Sequence, residues 1–340
     1  MQQKSSLRFA IVGCGKIAQR HAEQINVKAA LVAVCDSDKA KADALAKKYQ
    51  AEAYYSVVDL FTNSDFDVAV ICTPNGLHAE QSVYALEKGM HVICEKPMAI
   101  KSEDCIRMVD AAQKSNRELF IVKQNRYNPP VVELKKAIDE GRLGRIFSVQ
   151  LNCFWHRNVD YYSEESWRGT KILDGGVLYT QFSHFIDLML WLMNDDVIDI
   201  CSFMRNYLHQ GITEFEDTGI VSLQFSKGAI GSIHFTTNSY RKNMEGSITV
   251  FGEKGTVKVG GEYLNQLVYQ QIEDYTIQDN QVSIPPNQYG GYTGSMSNHG
   301  LFYDNVIDVL GNKAVKTTDM YEAMKTVALI EKIYKSANVE

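Results

Sequence analysis

The chain has 340 residues, of which 45% are hydrophobic, and a mass of 38.3 kDa; this is more than one domain usually holds, so two packed cores are expected and wholesale disorder is excluded. A formal net charge of −6 and a pI near 5.8 give no general attraction to nucleic acid or to anionic lipid. The first apolar run, residues 9–12, is far shorter than a secretion signal or a spanning helix, so a cytoplasmic protein with no membrane partner is expected.

From residue 7 onward, short β-branched runs at 7–12, 30–35, 68–72, 91–94 and 119–122 alternate with helical segments at 18–24, 39–48, 79–88 and 102–114. That alternation predicts a doubly wound, Rossmann-type parallel sheet with helices on both faces. After Asn128-Pro129-Pro130 a further helix is expected at 131–140, and then the period changes to two at 145–152. Strands at 220–225, 229–236, 247–252 and 255–259 follow, joined by Ser226-Lys227-Gly228 and Gly252-Glu253-Lys254-Gly255, short connections that suit tight hairpins. The second half is therefore expected to be an α+β domain with a large, open-faced, mostly antiparallel sheet. Helices are expected at 301–310 and 320–336. The expected division is 1–124 for the first domain and 125–319 for the second, with the last helix, about 320–337, packing back on the first.

The seven cysteines are scattered and show no zinc-type spacing, so buried reduced thiols and no metal are expected.

The first predicted strand runs into Gly13-Cys14-Gly15-Lys16-Ile17-Ala18, a G-x-G-x-x-A turn opening a helix. Small residues there permit a sharp turn and let a pyrophosphate approach backbone N–H groups at a helix N-terminus. About 20 residues on, the second strand ends at Asp36, where a carboxylate accepts hydrogen bonds from an adenosine ribose and repels a 2′-phosphate. This set points to a dinucleotide cofactor, NAD rather than NADP. Two more segments fall at the carboxyl ends of later strands, where such a sheet binds its ligand: Thr73-Pro74-Asn75 with His78, and Glu95-Lys96-Pro97.

Taken together, Gly13-x-Gly15-x-x-Ala18, Thr73-Pro74-Asn75-x-x-His78 and Glu95-Lys96-Pro97 resemble the Gfo/Idh/MocA family over essentially the whole chain. The resemblance implies hydride transfer from a sugar or polyol carbon to NAD(P), with Lys96 reaching both the nicotinamide ribose and the reacting hydroxyl. Much of that family places an Asp four residues before an acid/base histidine; here His184 matches the histidine and Thr180 stands in the position of the acid. The proton acceptor is therefore open between His184 and Lys96, and Asp187 is expected to be a structural partner. The segments around Lys123, Gln124, Arg126, Trp155, Arg157, Tyr161, Trp167-Arg168, Asp174, Glu216-Asp217 and Asn243 resemble the UDP-N-acetyl-2-amino-2-deoxyglucuronate 3-dehydrogenases, which implies oxidation of the C3 hydroxyl of a UDP-linked uronic acid on a route to bacterial surface polysaccharide.

By residue type, Arg126, Arg157 and Arg168 suit a carboxylate or diphosphate, and Trp155, Tyr161 and Trp167 offer flat faces. Expected cofactor contacts are Gly13, Cys14, Gly15, Lys16, Ile17, Asp36, Thr73, Pro74, Asn75, His78, Glu95, Lys96, Gln124, Trp167 and Arg168. Expected substrate contacts add Asp174, Thr180, Gln181 and His184, with Tyr303 and Asn305 at the pocket rim. A dehydrogenase of a free sugar or inositol, a 3-ketoreductase running the reverse reaction, and a non-catalytic NAD-binding regulator are the alternatives. An open sheet also favours a homodimer or homotetramer.

Overall fold

The computed structural model describes residues 4–163, 165–278, 286–288 and 293–337. The chain forms two compact units: one holds the residues up to Lys123 together with His299–Val327, and the other holds Gln124–Asn298 together with the residues from Ala328 on. The expected boundary at 124/125 thus falls one residue later than the observed one. The helix that starts at His299 had been placed in the second domain and belongs to the first unit, while the last helix contributes to both.

In the first unit, β1 (Arg8–Val12), α1 (Lys16–Lys28), β2 (Ala30–Cys35), α2 (Lys39–Tyr49), β3 (Glu52–Tyr54), α3 (Val57–Asn63), β4 (Val68–Ile71), α4 (His78–Glu87), β5 (His91–Cys94), α5 (Ser102–Ser115) and β6 (Leu119–Ile121) succeed one another. The strands form one sheet in the order β3-β2-β1-β4-β5-β6, and every pairing is parallel. β4 and β6 are buried along their whole length, which is why they read as unbroken apolar runs rather than alternating ones. Asp38 caps α2 by accepting from Ala40 N at 3.0 Å, and the helix stops where Gln50 turns left-handed at φ 58°. Sequence periodicity misses β3 and α3. Three residues are too few to show a period, and β3 exists because its backbone pairs with β2.

The second unit begins with α6 (Pro129–Asp139), whose prolines occupy the first turn, where a missing N–H costs nothing. It continues through β7 (Ile146–Phe154), α7 (Val159–Ser163), α8 (Val177–Thr180), α9 (Ser183–Met193), β8 (Val197–Arg205), β9 (Thr218–Phe225), β10 (Ile230–Thr236), β11 (Glu245–Gly252), β12 (Gly255–Gly260) and β13 (Gln266–Ile272). These strands make a seven-stranded sheet in the order β13-β12-β11-β7-β10-β9-β8. Its pairings are antiparallel except β7 with β10, so the sheet is mixed and mostly antiparallel. α9, apolar on nearly every side, lies against the inner face. On the other face Phe203, Ile220 and Ile230 are 71%, 50% and 60% exposed, beside the polar Ser222 and His234. β8 and β13 were not anticipated, because edge strands with few buried positions leave no clean alternation.

α10 (His299–Leu310) packs on α1 in the first unit, and α11 (Met320–Ser336) closes the chain. Among the described residues, six cysteines are buried, Cys201 is exposed, and all seven are free thiols. None of the described helices is long and apolar enough to cross a membrane.

Candidate active site

The turn from β1 into α1 is shaped by its glycines. Gly13 sits at φ +91°, and a Cβ there would lie 2.8 Å from the backbone of Cys72 and Thr73, so only glycine lets β1 and β4 end this close together. A Cβ on Gly15 would meet nothing within 4 Å, so the turn opens onto free space at the head of α1. Gly15 is the N-cap and, having no side chain, makes no side-chain cap to the first turn of α1. Asp36, just past β2, accepts from Cys14 N at 2.7 Å and from Asp38 N at 2.9 Å. Its carboxylate is thereby held beside the glycine turn. An open cradle, donor N–H groups and an oriented acid fit a dinucleotide: pyrophosphate at the helix head and ribose hydroxyls at Asp36. Lys16 and Ile17 form the first turn of α1.

The two later turns are tied to each other through His78. Its Nδ1 lies 2.7 Å from Pro97 O and its Nε2 2.9 Å from Thr73 O. Burial lowers the His78 pKa, although both carbonyls favour the charged ring. His78, expected to touch the cofactor, instead uses both ring nitrogens to link the Thr73-Pro74-Asn75 turn to the Glu95-Lys96-Pro97 turn. Asn75 is buried, and Thr73 Oγ1 bonds to Gln81 at 2.6 Å.

Glu95 is buried at the end of β5. Its Oε1 lies 2.8 Å from His21 Nε2 and its Oε2 accepts from Lys96 N at 3.0 Å. Burial works to raise the Glu95 pKa, but His21 and His299 beside it hold the carboxyl well below its ordinary range. Donor atoms of His21, Glu95 and His299 lie within 4.8 Å of one another, a grouping that can hold a metal. Both nitrogens of His21 and both oxygens of Glu95 are engaged in hydrogen bonds, whereas neither ring nitrogen of His299 has a hydrogen-bond partner among the described residues and its Nε2 lies 3.8 Å from Glu95 Oε1. Glu95 therefore acts inward, and the expected direct cofactor contact is replaced by a hold on the backbone of Lys96.

In the second unit, His184 lies on the first turn of α9, buried, with Nε2 3.1 Å from Gln124 Nε2. Gln124 is itself anchored through its carbonyl, which accepts from Asn298 Nδ2 at 3.2 Å. Thr180 donates its hydroxyl to Asp174, whose other carboxylate oxygen accepts from Gly169 N at 2.8 Å. The threonine in the acid position thus brings a carboxylate with it. Arg157 is buried and bonds Gln181 Oε1 at 2.9 Å and Asn243 Oδ1 at 3.2 Å, while Gln181 Nε2 donates to Tyr161 Oη at 2.5 Å. The Arg168 guanidinium stacks 4.0 Å over the Tyr161 ring and 5.4 Å from that of Trp167. One polar cluster therefore gathers Arg157, Tyr161, Arg168, Gln181 and Asn243.

These placements correct three expectations, those for Arg126, Trp155 and Tyr303. Arg126 makes a buried two-point pair with Asp187, at 2.8 Å for each bond, and lies 5.1 Å over the Trp191 ring; it is committed to the fold rather than to an anionic ligand. Trp155 is a core aromatic packed on Phe182, Phe185 and Tyr263, with its indole N–H on Glu262 O at 3.1 Å. Tyr303 is fully buried, with its hydroxyl 2.8 Å from His21 Nδ1, and is not at a rim. Asn305 fastens the segment after α10 through Val315 O and Thr317 N.

Residues 7–123 match the family described as "Oxidoreductase family, NAD-binding Rossmann fold", and residues 135–340 match its "C-terminal alpha/beta domain". The chain belongs to the GFO/IDH/MocA oxidoreductase family. Its NAD-binding Rossmann fold is the first unit described above. Among solved structures, the chain is similar to the WlbA dehydrogenase from Bordetella pertussis in complex with NADH and UDP-GlcNAcA. The identity is 37%, the TM-score 0.89, and the match covers 98% of this chain and 97% of that one. It is 30% identical to an inositol 2-dehydrogenase of Klebsiella pneumoniae (strain 342), over 75% of this chain and 74% of that one. An oxidoreductase from Agrobacterium radiobacter shares the fold at 20% identity, with a TM-score of 0.83 and coverage of 98% and 96%.

Sequence reasoning about this family member missed His21 and His299. His21 left a signal, since it falls in the apolar stripe of α1 with Ala18, Ala22 and Ile25, and a histidine there needs a buried partner. Glu216, named in the sequence only within a segment that carries the resemblance, is buried and accepts the Tyr334 hydroxyl at 2.6 Å.

Proposed function

We propose that this oxidoreductase is an NAD-dependent dehydrogenase of a UDP-linked uronic acid, oxidising the C3 hydroxyl of UDP-N-acetylglucosaminuronic acid. The observation that carries this reading is the near full-length likeness, at 37% identity, to a WlbA dehydrogenase holding NADH and UDP-GlcNAcA. Bound NAD supplies the hydride acceptor. The glycine turn and Asp36 hold its pyrophosphate and adenosine ribose. Lys96 stabilises the alkoxide that develops on the sugar, and His184 or Lys96 takes the hydroxyl proton. Gln124 holds the His184 ring through one of its nitrogens. Arg168, spread over Tyr161 and Trp167, offers its guanidinium to a carboxylate or diphosphate oxygen. The uncovered face of the second sheet supports self-association in the same reading.

A second reading, a free inositol or sugar dehydrogenase, is favoured by the 30% identity to an inositol 2-dehydrogenase. One experiment separates them. Purified protein and NAD are mixed with UDP-N-acetylglucosaminuronic acid, UDP-N-acetylglucosamine or myo-inositol, each with and without 2-oxoglutarate, and NADH absorbance is followed. Reaction confined to the uronic acid is expected; product only with 2-oxoglutarate identifies NADH reoxidised on the enzyme. Reaction with inositol and none with the uronic acid rejects the nucleotide-sugar assignment. Lys96→Ala is expected to abolish turnover while NAD still binds, and full activity in that variant rejects the role given to Lys96.

A further inference from the structure

Lys96 stands two residues beyond the end of β5, so the direction of its side chain is set by the backbone of residues 95–97. That backbone is held from both sides. On one side Glu95 Oε2 accepts the N–H of Lys96 itself at 3.0 Å; on the other, Pro97 O lies 2.7 Å from His78 Nδ1. Glu95 is in turn held by His21 Nε2 at 2.8 Å, and His21 Nδ1 by the Tyr303 hydroxyl at 2.8 Å. The chain of contacts has one polarity. The Tyr303 O–H donates to Nδ1 of a neutral imidazole, whose Nε2–H donates to the carboxylate, which accepts the Lys96 N–H. Burial lowers the His21 pKa, in keeping with a neutral ring, and Glu95 stays ionised. Every member is nine-tenths buried or more except Lys96. His21 also lies on α1, the helix whose head is the glycine turn.

We propose that His21 and Tyr303, acting through Glu95, are positioning residues for Lys96, aiming its side chain from a buried relay anchored on α1 and α10. This rests on the reading of Lys96 given above. The relay touches no reacting atom. It fixes the backbone from which the lysine projects.

The test compares Glu95→Gln, Tyr303→Phe and Lys96→Ala in steady-state turnover of NAD with UDP-N-acetylglucosaminuronic acid, with NAD affinity measured separately by calorimetry. Glu95→Gln preserves shape, since a glutamine oxygen still accepts from Lys96 N and its amide donates to the other His21 tautomer, but it removes the charge. Its kcat is expected to fall by about 30-fold or more, a loss typical of a misplaced catalytic group, with NAD affinity and sugar KM within about threefold of the unmodified enzyme. Tyr303→Phe leaves the Glu95 carboxylate in place, so a smaller kcat loss of several-fold, again with NAD affinity and sugar KM nearly unchanged, is expected; it carries the test should Glu95→Gln not fold. Unchanged kcat in both variants, with Lys96→Ala inactive, overturns the relay while leaving Lys96 its role. NAD affinity falling in step with kcat also overturns it, since that is what a purely structural node would do. Full activity of Lys96→Ala removes the lysine reading and the relay together.

Discussion

Glu216 provides a test of whether the second unit is held together in the way its geometry indicates. The carboxyl is buried; its Oε1 accepts the Tyr334 hydroxyl at 2.6 Å, and that hydroxyl accepts from Leu178 N at 3.2 Å, at the start of the helix pair that carries His184. Oε2 has no hydrogen-bond partner. Burial, reinforced by the nearby Asp174 and Asp217 charges, pushes the Glu216 pKa up from 4.5 to about 8 against the Tyr334 hydrogen bond. Between those two values the folded protein keeps a proton that the unfolded chain has lost. Stability therefore falls as pH rises through this window and is level below and above it. From 4.5 to pH 7 the span is about 2.5 pH units, each worth about 1.4 kcal/mol, so ionisation of the unfolded chain removes roughly 3 kcal/mol by neutral pH. Glu216→Gln retains an acceptor for Tyr334 and cannot ionise, so its stability advantage over the unmodified protein should grow by about 2.5 kcal/mol between pH 5 and pH 7. Asp217 does not confound the measurement. Its own burial is outweighed by hydrogen bonds from His209, Asn238 and two backbone N–H groups, which hold it well below 3.8, so its contribution is lost only at more acid pH. All three tryptophans, Trp155, Trp167 and Trp191, lie in the second unit, so urea unfolding followed by tryptophan fluorescence reports the unit that contains Glu216. Parallel pH dependence in the two proteins would mean that Glu216 is ionised in the fold and would refute this reasoning.

Two other perturbations probe the two units separately. Asp187→Asn leaves the Arg126 guanidinium buried without its two-point anion, and a loss of roughly 3–5 kcal/mol is expected in the same fluorescence assay; a change under about 1 kcal/mol would mean that the pair is effectively solvated. Asp36→Ala removes both the acceptor for the Cys14 N–H and the charge that repels a 2′-phosphate, so calorimetry should show weaker NAD binding and a smaller preference over NADP. Unchanged selectivity would show that the acid after β2 does not set the choice.

What the sequence reveals and what it hides follow from the distance over which each feature is decided. The parallel sheet was legible because strands buried on both faces must be apolar from end to end, and the glycine turn because Gly13 meets the backbone of a strand that always follows it in such a fold. Partner choice was not legible. Arg126 and Trp155 have the composition of a ligand pocket, yet Arg126 finds Asp187 61 residues on and Trp155 finds Glu262 107 residues on. Tyr303 reads as a polar residue on an amphipathic helix, and only the fold brings it to His21, 282 residues earlier. Thr180 shows how such a substitution is to be weighed. In the chain it is an acid replaced by a hydroxyl, which argues for a weaker base at His184. In the fold that hydroxyl donates to Asp174, whose carboxylate also caps the Gly169 turn next to Arg168. The negative charge has moved six residues toward the N-terminus and remains attached to position 180. Asp174→Asn should therefore disturb the Arg168 turn and the helix pair carrying His184 together, whereas the loss of a simple N-terminal acid would affect the histidine alone.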